Sequence, residues 1–124
     1  MAAAARILVV TKPLPSHELA RLIGNPFPDM VKFVVDVERG IIAIGGELHA
    51  DAEAILIDQG SRQESIWGGN YYPGRGESRC LEYGSLINIR PSAQNPSMLV
   101  QDAVIREKIR KLVTSLIGRG EPLP

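Results

Sequence analysis

The chain has 124 residues, and its 14 Lys+Arg balance 14 Asp+Glu, so the formal net charge is zero. This balance argues against a protein whose main task is to coat nucleic acid or an anionic membrane. Hydrophobic residues make up 44% of the chain, which excludes wholesale disorder, and the single cysteine excludes an internal disulfide framework. No apolar run is long enough for a membrane span. We expect one cytoplasmic domain over residues 1–124, with flexible ends at residues 1–5 and 119–124.

The first half of the chain predicts a strand, a short helix and a hairpin. Residues 7–10 are an apolar run typical of a buried strand, and residues 15–24 carry apolar side chains at helical spacing. Apolar and polar residues alternate over 31–37, which is typical of a half-buried strand. Residues 38–40, with a glycine in third place, then predict a tight turn into a strand over 41–44.

The stretch 47–58 is ambiguous in its local structure. Its alanines and glutamates favour a helix, whereas the strict alternation of residue types and the apolar end Ile55–Ile57 favour a strand. We predict a strand, which ends at the turn residues Gln59–Ser61.

The second half of the chain predicts two more strands and a long helix. Residues 65–72 form a strand in which Gly68 and Gly69 indicate a bulge or a close backbone approach, and residues 85–90 form another. Asp102 is a sound N-cap for a helix that extends to Ile117. The apolar stripe of this helix consists of Ile105, Ile109, Leu112, Val113 and Leu116.

Together these elements predict an α+β fold. Strands at hairpin spacing imply a mainly antiparallel sheet, here of about six strands. We expect a short N-terminal helix and a longer C-terminal helix to cover one face of that sheet.

The charges are unevenly distributed along the chain. Residues 29–64 carry eight acidic and three basic side chains, a net of −5, whereas residues 65–124 carry five acidic and eight basic ones, a net of +3. The segments either lie on solvated faces or pair with each other, within one chain or between subunits. Strand edges in so short a chain also need protection, so we predict a homo-oligomer.

The sharpest polar pattern is His49-x-Asp51-x-Glu53. On a strand, alternation places all three side chains on one face, where an imidazole and carboxylates suit a divalent metal or acid–base chemistry. On a helix, His49 would instead pair with Glu53. The alternative interpretation of the pattern is a solvated face or ion pairs between subunits. A divalent metal ion is the one cofactor that the sequence suggests.

A second polar group follows in residues 88–97. Asn88 and Arg90 share a strand face, and the next loop adds Asn95 and Ser97. An arginine beside amide and hydroxyl donors suits a carboxylate or a phosphate. In the alternative interpretation, Arg90 pairs with a carboxylate across the sheet and the loop side chains satisfy backbone groups. The carboxylates available for that pair are Asp36, Asp51 and Glu53.

The chain resembles a family of small uncharacterised prokaryotic proteins, a domain of unknown function. The resemblance rests on residues 44–53, on Ser65–Gly68 and on Ser85–Pro91, together with Asn95 and Ser97. It extends over nearly the whole chain. It implies a stand-alone cytoplasmic single-domain protein and assigns no catalytic role to any residue.

Two functional hypotheses follow from these patterns. The first is a site for a small molecule or a metal ion on one sheet face, with hydrolysis as one use of it. Its candidate residues are His49, Asp51, Glu53, Asn88, Arg90, Asn95 and Ser97. The second is a non-catalytic module that self-associates or regulates a partner. The sequence leaves open whether the protein is an enzyme.

Overall fold

The structure is a computed structural model that describes residues 6–24 and 26–124. The predicted flexible segment 1–5 lies outside the described residues. The strands are β1 (Ile7–Val10), β2 (Val31–Asp36), β3 (Ile41–Gly45), β4 (Ile66–Tyr71) and β5 (Leu81–Glu82). The α-helices are α1 (Ser16–Ala20), α2 (His49–Asp58) and α3 (Ala103–Leu116), and short 3-10 turns occupy Gln63–Ser65, Leu86–Asn88 and Pro91–Ala93.

The five strands form one sheet in the order β1-β3-β2-β4-β5, and every neighbouring pair is antiparallel. The predicted α+β class, the antiparallel sheet and the C-terminal helix are confirmed. The prediction of about six strands is slightly too high. Within the predicted strand 47–58, residues 49–58 form α2, and the predicted strand 85–90 is a 3-10 turn with extended residues on either side.

The central hairpin forms as its sequence predicts. The Oδ1 atom of Asp36 accepts hydrogen bonds from the backbone N–H groups of Glu38 (2.9 Å) and Arg39 (3.0 Å). Gly40 then takes a φ of 68°, a left-handed conformation that glycine adopts without steric cost. This turn sets the register in which Asp36 pairs with Ile41 and Phe33 with Ile44.

Helices cover both faces of the sheet. Alternation along β2 sends Phe33 and Val35 into the core formed with α1 and α3, and Val34 into a second core formed with α2. The Asp102 side chain caps α3 by accepting from the backbone N–H of Val104 at 2.8 Å, and Ile109 in that helix is fully buried. The short N-terminal and longer C-terminal helices thus share one face, as predicted, and α2 adds a third layer.

The strand prediction for 47–58 is wrong because of what the segment buries. His49, Ala52 and Leu56 are the buried residues of α2, and they lie three and four positions apart, at helical spacing. Ile57, whose apolar character favoured a strand, is 42% exposed. Ala52 is the alanine that α2 packs on the sheet, whereas Ala50 and Ala54 are exposed, so the alternating residues do not form a buried face.

Candidate functional site

One end of the sheet is left uncovered by α2. The strand register aligns Lys32 of β2 with Asn70 of β4, and Asn70 with Glu82 of β5. Lys32 is two residues from Val34, which packs under α2, so this row faces the same side of the sheet. Because α2 begins only at His49, the row lies beside the helix N-terminus and remains open.

A cavity of about 410 Å³ occupies this open end. Its walls come from the start of α2, from the middle strands and from the segments around residues 85 and 98. Four of its lining residues are polar, and the rest are apolar or glycine. The lining residues are Lys32, Leu48, His49, Ala50, Asn70, Gly84, Ser85, Leu86, Ile87 and Met98.

The rim of the cavity exposes large apolar side chains to water. Leu86 is 71% exposed, Leu48 58% and Met98 48%. Single exposed apolar residues are common on soluble proteins, but several around one concavity mark a binding surface. The combination of an apolar rim and a few polar groups inside is typical of a site for a small organic ligand.

His49, like Ser85, is a buried polar residue that lines the cavity. Its Nε2 atom lies 2.7 Å from the carbonyl oxygen of Gly69, which assigns the proton to Nε2 in the neutral ring. Burial lowers the pKa of His49 below its ordinary value of 6.5, the Lys32 charge lowers it further, and the hydrogen bond to Gly69 and the nearby Asn70 side chain oppose the shift. His49 is therefore a neutral imidazole at neutral pH, and its Nδ1 atom is an acceptor.

Two glycines of β4 permit close contacts, Gly68 on the cavity side of the sheet and Gly69 on the side of Phe33. A Cβ atom on Gly68 would lie 2.8 Å from Cβ of Ser85 and 3.2 Å from Cδ2 of His49. A Cβ atom on Gly69 would lie 2.5 Å from the Glu82 carbonyl oxygen. The β2–β4 register is unbroken through both positions, so the close backbone approach is confirmed and the bulge is wrong.

Ser85 and His49 share a cavity wall but make no nucleophile–base pair. The imidazole turns its carbon Cδ2 toward Gly68, and Ser85 Oγ accepts a hydrogen bond from the backbone N–H of Ile87 at 3.3 Å. Among the described residues, no hydrogen bond joins the two side chains. Ser85 and His49 are therefore not arranged as a nucleophile and its base in this structure.

Asn88 and Asn95 are buried and bond to backbone groups. The Asn88 side chain accepts from the Gly68 N–H at 2.8 Å and donates to the Gly68 carbonyl at 2.9 Å. Asn95 Nδ2 donates to the carbonyls of Asn88, Ser97 and Leu99, at 2.8, 2.9 and 3.1 Å. These side chains hold the 85–100 segment against β4, in agreement with the structural alternative for this loop.

Arg90 pairs with Glu53 from α2, one of the partners that the sequence offered. Their Nη2 and Oε2 atoms are 3.5 Å apart, both side chains are largely buried, and the guanidinium stacks 4.8 Å from the Trp67 ring centroid. Burial lowers the pKa of Arg90, and the Glu53 and Glu64 charges oppose that shift. Its Nε and Nη1 atoms are buried without a partner among the described residues.

The remaining predicted residues lie apart from this pair and from the cavity. Asp51 is exposed on α2, and Ser97 Oγ accepts from the backbone N–H of Leu99 at 3.1 Å. Because residues 49–58 are helical, His49, Asp51 and Glu53 do not share a face as they would on a strand. Within the part of the chain that the structure describes, no group of three or more His, Cys, Asp or Glu side chains could hold a metal ion.

Most of the cavity residues were missed by sequence reasoning. Of the predicted site residues, His49 alone lines the cavity. Lys32 and Asn70 meet only through the β2–β4 pairing, and Met98 reaches them through a long loop. The one local signal was Lys32, a charged side chain that directly precedes the apolar run Phe33–Val35.

The fold and the cavity define the class: an α+β protein with a five-stranded antiparallel sheet, helices on both faces and one open sheet end. The chain belongs to the family described as proteins of unknown function, DUF5674, whose model matches residues 8–116. The resemblance to a family of unknown function is thereby confirmed. No curated protein and no solved structure matches the chain. Over residues 6–24 and 26–124, no helix is long and apolar enough to cross a membrane.

Proposed function

We propose that this protein binds a small organic molecule in the cavity at the N-terminus of α2, and that its role is binding and not catalysis. The observation that carries the proposal is the exposed apolar rim of Leu48, Leu86 and Met98 around a concavity of about 410 Å³. Exposure of this much apolar surface to water costs free energy, which a ligand with an apolar body would recover.

The rigid floor of the cavity supports the same proposal. His49 is fixed by its hydrogen bond to Gly69, and the 85–88 segment is fixed by the bonds of Asn88 to Gly68. A preformed site loses little conformational entropy when a ligand enters.

A neutral fluorescent probe, N-phenyl-1-naphthylamine, tests this function. Ala50 and Ala54 are both exposed residues of α2, but only Ala50 lines the cavity. We expect Ala50→Phe to fill the cavity and weaken probe binding by about tenfold or more, and the matched control Ala54→Phe to bind as the wild type does. Absence of probe binding, or equal binding by both variants, would refute the proposal.

Self-association is the second candidate function, and one observation favours it. Leu99 is 59% exposed next to Met98, so the apolar rim continues beyond the cavity. Apolar patches of this kind also form interfaces between subunits. We therefore keep the predicted cytoplasmic homo-oligomer as a proposal.

A further inference from the structure

We propose that the ligand of this cavity is an amphipathic carboxylic acid, whose carboxylate binds Lys32 at the α2 end and whose apolar tail lies along Leu86 and Met98. This inference rests on the proposed function and specifies the class of ligand.

Lys32 is a cation in a largely apolar cavity without a counter-ion. Among the described residues no carboxylate lies within salt-bridge distance of it, and its Nζ atom lies 5.3 Å from the Phe27 ring centroid. The nearest carboxylate in the cross-strand row is that of Glu82. It already accepts hydrogen bonds from Asn70 Nδ2 at 3.2 Å and from the Tyr72 hydroxyl at 2.6 Å. An anionic group on the ligand would form an ion pair with the partly buried ammonium group of Lys32.

The start of α2 adds positive potential at the same end. Leu48 occupies the N-cap and has no side-chain oxygen to accept from the first N–H groups of the helix. Leu48, His49 and Ala50 all line the cavity, so the first turn of α2 forms part of its wall. Asp51 in the first turn is exposed and does not line the cavity, so it leaves this end free for an anion.

The charge of the site fits one negative charge better than two. Lys32 is the only charged residue among those that line the cavity, and the buried His49 is neutral at neutral pH. A phosphate monoester carries up to two negative charges at neutral pH and would bring more charge than this lining can balance. A carboxylate brings one, and the apolar rim accommodates its tail.

Calorimetric titration with three ligands of equal chain length tests the inference: octanoate, octanol and octylamine. For the wild type we expect octanoate to bind about tenfold more tightly than octanol, and octylamine to bind least tightly. We expect Lys32→Met to remove the octanoate preference while octanol binding stays unchanged, and Lys32→Arg to keep the preference.

Lys108→Met is the matched control, because Lys108 is an exposed lysine on α3 that lines a separate hollow with Val104. It should leave all three affinities unchanged. Octylamine binding as tightly as octanoate, or a loss of preference in Lys108→Met instead of Lys32→Met, would overturn the carboxylate inference. If octanol still binds and is excluded by Ala50→Phe, the proposed function survives that result. Failure of all three ligands to bind would overturn the carboxylate inference, and the proposed function falls with it only if the naphthylamine probe also fails to bind.

Discussion

The Asn88 side chain forms hydrogen bonds with the edge of β4 at a position where none of the described strands pairs with that edge. β5 pairs only with Asn70 and Tyr71, so the N–H and carbonyl groups of Gly68 are left over at the edge. The Asn88 amide bonds to both of them, and Nδ2 also donates to the Met98 carbonyl at 3.0 Å. Since Asn88 is fully buried, water cannot replace these bonds.

We predict that Asn88→Ala lowers the free energy of unfolding by about 3 kcal/mol, because several buried backbone groups lose their partners. Urea denaturation measures the effect. Ser92→Ala, an exposed change in the next loop, is the control and should stay within about 0.5 kcal/mol of the wild type. A loss below about 1 kcal/mol in Asn88→Ala would show that water or rearranged loops satisfy Gly68.

The buried His49 makes stability depend on pH. Its pKa is below 6.5 in the folded protein because burial disfavours the charged ring, so between the two pKa values the unfolded chain binds more protons. The stability that the neutral ring contributes is present above pH 6.5 and is lost as the pH falls through the folded-state pKa. We predict that the wild type loses more stability than His49→Gln between about pH 7.5 and about pH 5.5.

The control for this pH dependence is His17→Gln, because His17 is an exposed residue of α1. Urea denaturation at the two pH values should give His17→Gln the slope of the wild type. If instead His49→Gln keeps the full pH dependence of the wild type, His49 is not the group that titrates.

At the scale of elements, prediction succeeded where the burial period was regular. The apolar stripe of α3 matches the face that the structure buries, whereas β2, predicted to be half-buried, is buried on both faces because α2 covers the side that carries Val34. The prediction of a strand over residues 85–90 failed because burial there does not follow hydropathy. Leu86 is 71% exposed and Asn88 is fully buried, the reverse of what their polarity favours. The side-chain bonds of Asn88 decide this segment, and no local pattern encodes them.

The packing of α3 gives the clearest prediction for an element. Ile109 is fully buried in the core against the sheet, whereas Val104 of the same helix is 63% exposed. We predict that Ile109→Ala costs about 2–5 kcal/mol of unfolding free energy and that Val104→Ala costs far less. Thermal or urea unfolding of the two variants compares them directly. A cost below about 0.5 kcal/mol for Ile109→Ala would mean that α3 does not close the core.

For the whole molecule, the cavity depends on contacts that no single segment contains. Lys32 and Asn70 are 38 positions apart and meet because β2 lies between β3 and β4. The sequence predicted His49 as a polar candidate, but it placed Asn88 and Arg90 in the same site. In the structure, Asn88 attaches the 85–100 segment to β4, and Arg90 pairs with Glu53. Long-range strand order therefore sets the site, and local patterns could not predict it.

The oligomeric state is a prediction at the same scale. The acidic middle and basic end of the chain, with the exposed Leu99 beside the cavity rim, lead us to expect a dimer or a larger homo-oligomer. Sedimentation equilibrium at tens of micromolar should then give a mass above that of the 13.5 kDa chain. A single 13.5 kDa species would contradict self-association and leave the cavity proposal unaffected.

The most direct test of the cavity as a binding site is an NMR titration of the uniformly ¹⁵N-labelled protein with octanoate. We predict that the largest amide shifts fall on residues 48–50, on Asn70 and on residues 84–87, which surround the cavity, and that α3 stays unperturbed. Shifts concentrated on α3, or no shifts up to millimolar octanoate, would contradict the assignment of this cavity as the ligand site.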